Sequence, residues 1–316
     1  MAYYSGTASS LADLRTALLT HAQTDGWTLT GDVLSKAGVY FRIQVTATLI
    51  TCLGCESNAV ANPAPNVVSI GRLYERSGQP TREISFPCSY EVFGFAQELY
   101  LVVNYDVEKY QWLAFGKSTV PGLTNPGGWC SAILGSTPST YASVTAMAPI
   151  TFYLSGINNL DAGIHSTSTP GMPFMSYYPL TTGDNDAVGN SFVNSGLDGH
   201  GWLPAASGQN GALNAIAAAP LLWLQPSTWN GECAFAPIRA YKVRPAYKTS
   251  LILEMQHARH LRMDNLTPGD VLTLGSEKWK CFPWHVKNTV TRNGGGSNMA
   301  YDHTGTLGWA IRYEGP

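Results

Sequence analysis

The residues best suited to chemistry in this chain include two cysteines that lie three positions apart. Cys52 and Cys55 form the only Cys-x-x-Cys sequence. A structural zinc site needs two further ligands at comparable spacing. The remaining cysteines are isolated from one another: Cys88, Cys130, Cys233 and Cys281. A redox pair would open a helix, whereas this pair ends a strand pattern. We therefore expect thiols without chemistry. Disulfides between subunits through Cys52 and Cys55 are the second hypothesis.

Two further patterns combine residue types that bind metals. Glu254, His257 and His260 lie three apart in "EMQHARH" and would share one face of a helix. The segment follows the strand-like "TSLIL", and a strand would place His257 and His260 on opposite faces. Asp184 and Asp186 in "GDNDAVGN" look like the start of a calcium loop but lack its glycine and distal glutamate. We expect surface hydrogen bonding and a plain turn, with a chance ion site at the aspartates as the alternative.

Aromatic residues are concentrated between residues 275 and 313, around a run of glycines at 294–296. In strands such rings most often fill the core. The alternative is a glycan-binding surface on which the indole rings of Trp279, Trp284 and Trp309 serve as stacking platforms. Its hydrogen-bonding partners would be Asn298, Asp302 and His303. We expect core packing, with the glycine run at a hairpin tip that adapts to a neighbouring subunit.

Recognised catalytic motifs are missing from the sequence. It contains no Gly-x-Ser-x-Gly elbow and no phosphate-binding glycine loop before a helix. We therefore expect no enzyme, no catalytic residue, no cofactor and no metal. A glycan- or peptidoglycan-degrading enzyme is the third hypothesis, and it would require two carboxylates that converge in a cleft.

The composition points to contact with other proteins. Charged residues make up only 13% of the 316 residues, about half the usual share. Ser, Thr, Asn, Gly and Pro supply the polarity, and uncharged polar groups cost less to desolvate than unpaired charges. The formal charge of −2 gives no general attraction for nucleic acid.

Export and membrane signals are not expected. The start, "MAYYSGTASS", lacks the basic and then apolar pattern of a signal peptide. The most apolar run, "NAIAAAPLLWLQP", is too short to span a bilayer and contains Pro220. We expect a protein made in a cytoplasm. The composition is nevertheless typical of proteins that work outside a cell. A virus particle would explain both observations, because its proteins fold inside the host and work after lysis.

The first 120 residues predict an α+β domain in which a helix packs on an antiparallel sheet. Ser10 and Asp13 form a capping-box-like start, leucines follow at helical spacing, and Gly26 ends the helix. A period of two predicts one strand from Val39 to Leu49. A hairpin with the turn "DVEK" is predicted over residues 98–118, and its first strand is apolar on both faces and therefore central in the sheet.

The rest of the chain, residues 121–316, predicts a loop-rich, mostly β domain. Residues 119–232 predict long ordered loops and short strands, and residues 233–316 predict antiparallel β-structure. The predicted strands lie in "CAFAPIRAYKV", "TSLILEM", "MDNLTPGDVLTLGSEKWKCFPW" and "GTLGWAIRYEG". Pro268-Gly269 supplies the turn inside the third of these segments. The fold class is therefore α+β and β-rich.

Two segments carry a resemblance to a known group of proteins. "LYLVVNYDVEKYQWLAFGKS" (99–118) and "GSEKWKCFPWHVKN…DHTGTLGWAIRYEGP" (275–288 and 302–316) resemble uncharacterised virion structural proteins of tailed bacteriophages, encoded among tail and baseplate components. The likeness includes the opening helix followed by "DGW". It implies a tail, baseplate or neck subunit located in the virion, with other virion proteins as partners and no catalytic residues.

The same resemblance implies several copies of the chain in a ring of three- or six-fold symmetry about the tail axis. The helix-on-sheet domain is similar in outline to small domains that form neck and tail rings. A receptor- or glycan-binding module of the same particle is the alternative function.

Overall fold

The computed structural model describes residues 1–46, 48–59, 67–73, 82–132, 134–135, 191–204, 212–214, 235–245, 248–263, 265–284 and 307–315. Within these ranges the protein is β-rich, with an N-terminal helix packed on an antiparallel sheet and a C-terminal region made mostly of strands. The fold class predicted from the sequence is therefore confirmed.

The secondary structure begins with strand β1 (Ala2–Ala8) and helix α1 (Leu11–Thr24). The further strands are, in chain order, β2 (Thr28–Thr30), β3 (Val33–Lys36), β4 (Val39–Thr46), β5 (Leu49–Cys55), β6 (Val67–Ile70), β7 (Arg72–Leu73), β8 (Arg82–Glu83), β9 (Cys88–Gly94), β10 (Glu98–Asp106), β11 (Lys109–Lys117), β12 (Gly128–Ala132), β13 (Leu134–Gly135), β14 (Ser191–Asn194), β15 (Trp202–Pro204), β16 (Ala212–Asn214), β17 (Ala236–Arg244), β18 (Lys248–Arg262), β19 (Val271–Leu274), β20 (Glu277–Pro283) and β21 (Leu307–Tyr313).

The strands of the described residues form three large antiparallel sheets and one small ribbon, β7–β8. Sheet A has seven strands in the order β1-β9-β10-β11-β12-β14-β15. Sheet B has six in the order β13-β6-β5-β4-β3-β2, and sheet C has six in the order β16-β17-β18-β21-β20-β19. Most connections are hairpins between neighbours, which is the simplest way to join antiparallel strands.

Sheet A is the middle layer of the molecule. On one face Phe115 contacts Trp27 and Phe41, which belong to the side of sheet B. On the other face Trp112 contacts Trp309 of sheet C with ring centroids 5.2 Å apart. Strand β10 pairs with β9 and β11 and is buried on both faces, so its predicted central position is confirmed. A strand covered on both sides reads as a continuous apolar run, as β10 does.

Helix α1 lies beside sheet B, on the part of sheet A formed by β1 and β9. Its cap is the predicted one: the Oγ of Ser10 accepts a hydrogen bond from the backbone N–H of Asp13. The Asp13 carboxylate in return accepts from the backbone N–H of Ser9 at 2.8 Å. The apolar side chains at helical spacing are buried, and Gly26 follows the helix with a φ of +84° that a glycine adopts without strain.

Two predictions about the chain path need correction. The strand predicted from Val39 to Leu49 turns back on itself, because Thr46 pairs with Leu49 in the hairpin of β4 and β5. Pro268-Gly269 precedes β19, and the turn that joins β19 to β20 instead contains Gly275, with a φ of +61°. Sheet A continues past residue 120, since β12 and β14 extend it beyond β11.

Candidate functional site

Strand β18 contains a long bulge where it crosses sheet A. Its pairing with β17 joins Glu254 to Arg239 and then Arg259 to Pro237. The four residues from Met255 to Ala258 therefore lie opposite the single residue Ile238. A bulge of this kind leaves backbone N–H and C=O groups without their ladder partners, and in a buried place those groups need other partners.

The carboxylate of Glu98 supplies partners for the N–H groups of the bulge. It accepts from the backbone N–H of Gln256 at 2.9 Å and from that of His257 at 3.1 Å. The imidazole Nδ1 of His257 lies 2.6 Å from the same carboxylate, and the hydroxyl of Tyr100 donates to it at 2.7 Å. Only 1% of the Glu98 side chain is exposed, so the buried charge is satisfied by these four groups together.

The carbonyl groups of the bulge are bound by Arg259. One guanidinium nitrogen donates to the backbone oxygens of Met255, Gln256 and Ala258 at 2.8 to 3.1 Å. The guanidinium also lies over the Trp279 ring, 5.4 Å from its centroid. The bulge is thus held by an anion from sheet A and by a cation of its own strand.

Aromatic rings surround this cluster, which we call the Glu98 cluster (Glu98, Tyr100, Gln256, His257 and Arg259). The ring of Phe95 stacks on the His257 imidazole with centroids 3.9 Å apart and an interplanar angle of 13°. Burial, and next the charge of Glu98, raise the pKa of the Tyr100 hydroxyl well above its usual value. Tyr100 therefore stays a hydrogen-bond donor at any physiological pH.

Further polar contacts join sheets A and C. Lys280 of β20 forms an ion pair with Glu91 of β9 at 2.5 Å and donates to the Tyr3 hydroxyl at 3.2 Å. Burial alone lowers the pKa of Lys280, but the bonds to Glu91 and Tyr3 outweigh it and the pKa is raised. The indole N–H of Trp112 donates to the Trp284 carbonyl at 3.1 Å. These contacts fix the position of sheet C along and across sheet A.

The three tryptophans considered as glycan contacts lie in the core. Trp284 and Trp309 are fully buried, and Trp279 is 4% exposed. Trp284 stacks on Trp309 with centroids 4.9 Å apart, and both contact Trp112 of sheet A. None of the three rings offers a free face to a sugar, so the glycan hypothesis for these residues is corrected in favour of core packing. Their hydrogen-bonding candidates Asn298, Asp302 and His303 lie outside the described residues.

The two cysteines of the Cys-x-x-Cys sequence lie on different faces of β5. Cys52 is fully buried beside Cys130, and burial raises the pKa of its thiol well above the usual value. Cys55 is partly exposed on the outer face of sheet B. An odd spacing on a strand always separates two residues in this way. The hypothesis of an intersubunit disulfide is therefore corrected for Cys52 and is left to Cys55 alone.

The side chains of Glu254, His257 and His260 do not converge, as expected for residues on a strand. Glu254 bonds to Arg239 at 2.6 Å, His257 bonds to Glu98, and His260 is buried against Trp284. No three metal-binding side chains converge anywhere in the described ranges. Neither ring nitrogen of His260 has a hydrogen-bond partner in the described part of the chain. Burial lowers the pKa of His260 to about 3.

Several other predicted features fall outside the described residues, namely Asp184, Asp186, Cys233 and the glycine run at 294–296. Among the described residues, no helix combines the length and apolar character needed to cross a membrane.

Sequence reasoning did not find Glu98. It is one acidic residue at the start of an apolar strand, and its partners in the bulge lie about 160 positions further along the chain. The available signal was its place beside a strand predicted to be buried on both faces, where a carboxylate requires partners.

Comparison with models of known protein families finds no match to this chain, and no curated protein matches it either.

We expect Glu98→Gln to lower the free energy of unfolding by about 3 kcal/mol, because an amide replaces the charged acceptor and turns an N–H₂ group toward other donors. Urea unfolding of the full chain measures this. Glu254→Gln is the matched control on the partly exposed pair with Arg239 and should cost less than about 1 kcal/mol. Equal effects of the two substitutions would contradict the assignment.

His260 should make the protein sensitive to acid. Its pKa is about 3 in the folded protein and 6.5 in the unfolded chain, so the unfolded chain takes up the proton first. Stability is complete above pH 6.5 and is lost as the pH falls toward 3. Between neutral pH and about pH 3, the free energy of unfolding of the wild-type protein should fall by about 4 kcal/mol relative to that of His260→Leu. Chemical unfolding of both proteins across this range tests it, and parallel curves would show that His260 is not buried as neutral imidazole.

Cys55 should be the first of the described cysteines to react with a thiol reagent, at least about tenfold faster than Cys52. Burial raises the pKa of both thiols, but only that of Cys55 is accessible without unfolding. Mass-spectrometric mapping after brief alkylation of the native protein measures the two rates. Cys55→Ser should abolish the early modification at this site and Cys52→Ser should leave it unchanged; rapid labelling of Cys52 would refute the placement.

Proposed function

We propose that this chain is a structural component of a tailed-phage virion, a tail, baseplate or neck subunit that acts by assembly with its neighbours and not by catalytic turnover. The observation that carries the proposal is the resemblance of residues 99–118 and of the C-terminal segment to virion structural proteins. The low charge and the abundance of uncharged polar residues support it, because such surfaces are desolvated at little cost.

The packing of the two resembling segments also supports a structural role. The first contains β10 and β11, and the second contains β20 and β21. They meet across the interface of sheets A and C, where Tyr100 and Trp112 contact Trp309. Layers joined by polar as well as apolar contacts suit a subunit that must keep one shape within an assembly.

The receptor- or glycan-binding alternative rested on Trp279, Trp284 and Trp309. Because these rings fill the core, that alternative has no ring of this set to stack on a sugar. This favours the proposal of a subunit that holds a particle together. Its partners would be other virion proteins and further copies of itself in a ring, and its location would be the virion, reached from the host cytoplasm.

Mass spectrometry of purified phage particles tests this proposal. We expect peptides from the whole chain at a fixed ratio to a known tail protein, corresponding to a multiple of three copies per particle if the ring has three- or six-fold symmetry. A phage protein that is made in the infected cell but does not enter particles serves as the control for contamination. Absence of the chain from particles in which tail proteins are fully covered would overturn the proposal.

A further inference from the structure

The outer edge of β1 is an open sheet edge. β1 pairs with β9 over all seven of its residues without a bulge. It is the first strand of sheet A, and no second strand pairs with it among the described residues. An edge strand therefore presents a row of N–H and C=O groups that another strand can bind.

The β1 edge lacks the sequence features that usually prevent an edge strand from pairing with another chain. Natural edges are blocked by lysines, prolines, bulges or very short strands. The sequence of β1, "AYYSGTA", contains no charged residue and no proline, and the strand is longer than the average of about five to six residues. The side chains of Ser5 and Thr7 are exposed, so the strand carries nothing that would repel a partner.

The adjacent edge of sheet C opens on the same side of the molecule. Lys280 donates to the hydroxyl of Tyr3 on β1, and Lys280 is paired with Val271 of the edge strand β19. Val271 is 42% exposed and is one of the five large apolar residues exposed in the described chain. Two strand edges that are open among the described residues therefore lie on the same side of the molecule, with the exposed Val271 on one of them.

The sequence of β1 fits an antiparallel copy of itself. A two-fold axis at Ser5 places Tyr3 opposite Thr7 and Tyr4 opposite Gly6, so each large side chain meets a small one. Like charges directly opposite each other would disfavour self-pairing, and β1 contains none. Gly6 already lies against the ring of Tyr90, where a Cβ atom would come within 2.6 Å of its hydroxyl oxygen. A bulky residue at position 6 would disturb this contact as well as the proposed pair.

We propose that β1 pairs with β1 of a second copy of this chain, in antiparallel orientation about a two-fold axis at Ser5. Sheet A then continues from one subunit into the next, and the exposed Val271 of each copy lies near the interface. The proposal deepens the proposed function and rests on it for the expectation of self-assembly. A two-fold interface closes on itself, so it adds to the ring contact and does not replace it.

Sedimentation equilibrium of the full-length protein tests the pairing. We expect the wild-type chain to form dimers or larger even-numbered assemblies. Ser5→Lys places two ammonium groups opposite each other and should raise the dissociation constant of this interface at least about tenfold. Ser5→Glu should do the same, and a mixture of the two variants should restore association, because opposite charges then face each other. Circular dichroism and thermal unfolding of each variant show that it is folded.

Val107→Lys is the matched control, because Val107 is 83% exposed at the tip of the β10–β11 hairpin and the substitution adds the same charge. It should leave the dissociation constant unchanged. A Ser5→Lys variant that associates as the wild-type chain does would overturn the β1 pairing while leaving assembly by another surface intact. A wild-type chain that stays monomeric would also overturn it. The presence of the chain in particles is measured separately, so the two proposals can fail independently.

Discussion

A carboxylate buried between two sheets is stable only if the groups around it replace the water that it has lost. Glu98 satisfies this condition with four hydrogen-bonding groups. Two backbone N–H groups of the β18 bulge, the imidazole of His257 and the hydroxyl of Tyr100 converge on it. The bulge in turn is stable only because Glu98 and Arg259 bind the groups that its irregular backbone leaves unpaired. Each feature explains the other, and the position of sheet C on sheet A follows from both.

The distribution of charge across the molecule agrees with this account. The chain has few charged residues, yet some of them form contacts between sheets. Lys280 and Glu91 join sheets C and A, and the largely buried Lys242 lies 3.3 Å from Asp198 in the turn after β14. Each of these contacts forms only when its partners are aligned, so together they favour one arrangement of the layers. A low total charge is therefore compatible with a strongly specified interior.

Much of the fold could be predicted because its signals are local. The cap at Ser10, the leucines of α1 and the apolar strand β10 each lie within a few residues of the structure that they specify. The β4–β5 hairpin was missed because its turn, around Thr46 to Leu49, has no glycine, proline or asparagine to mark it. The core role predicted for the C-terminal tryptophans agrees with their burial in the structure. The faces of Cys52 and Cys55 were also open to prediction, since strand spacing alone separates them.

The Glu98 cluster could not be predicted, because it depends on a register shift between β17 and β18 and on a carboxylate from a distant strand. Hydrogen exchange measures whether Glu98 holds the bulge. The amide protons of Gln256 and His257 have no partner strand at the bulge, but they should exchange as slowly as those of the core strand β10, which we expect to open only on global unfolding. Exchange of these two amides at the rate of exposed loops would contradict the claim that Glu98 holds the bulge.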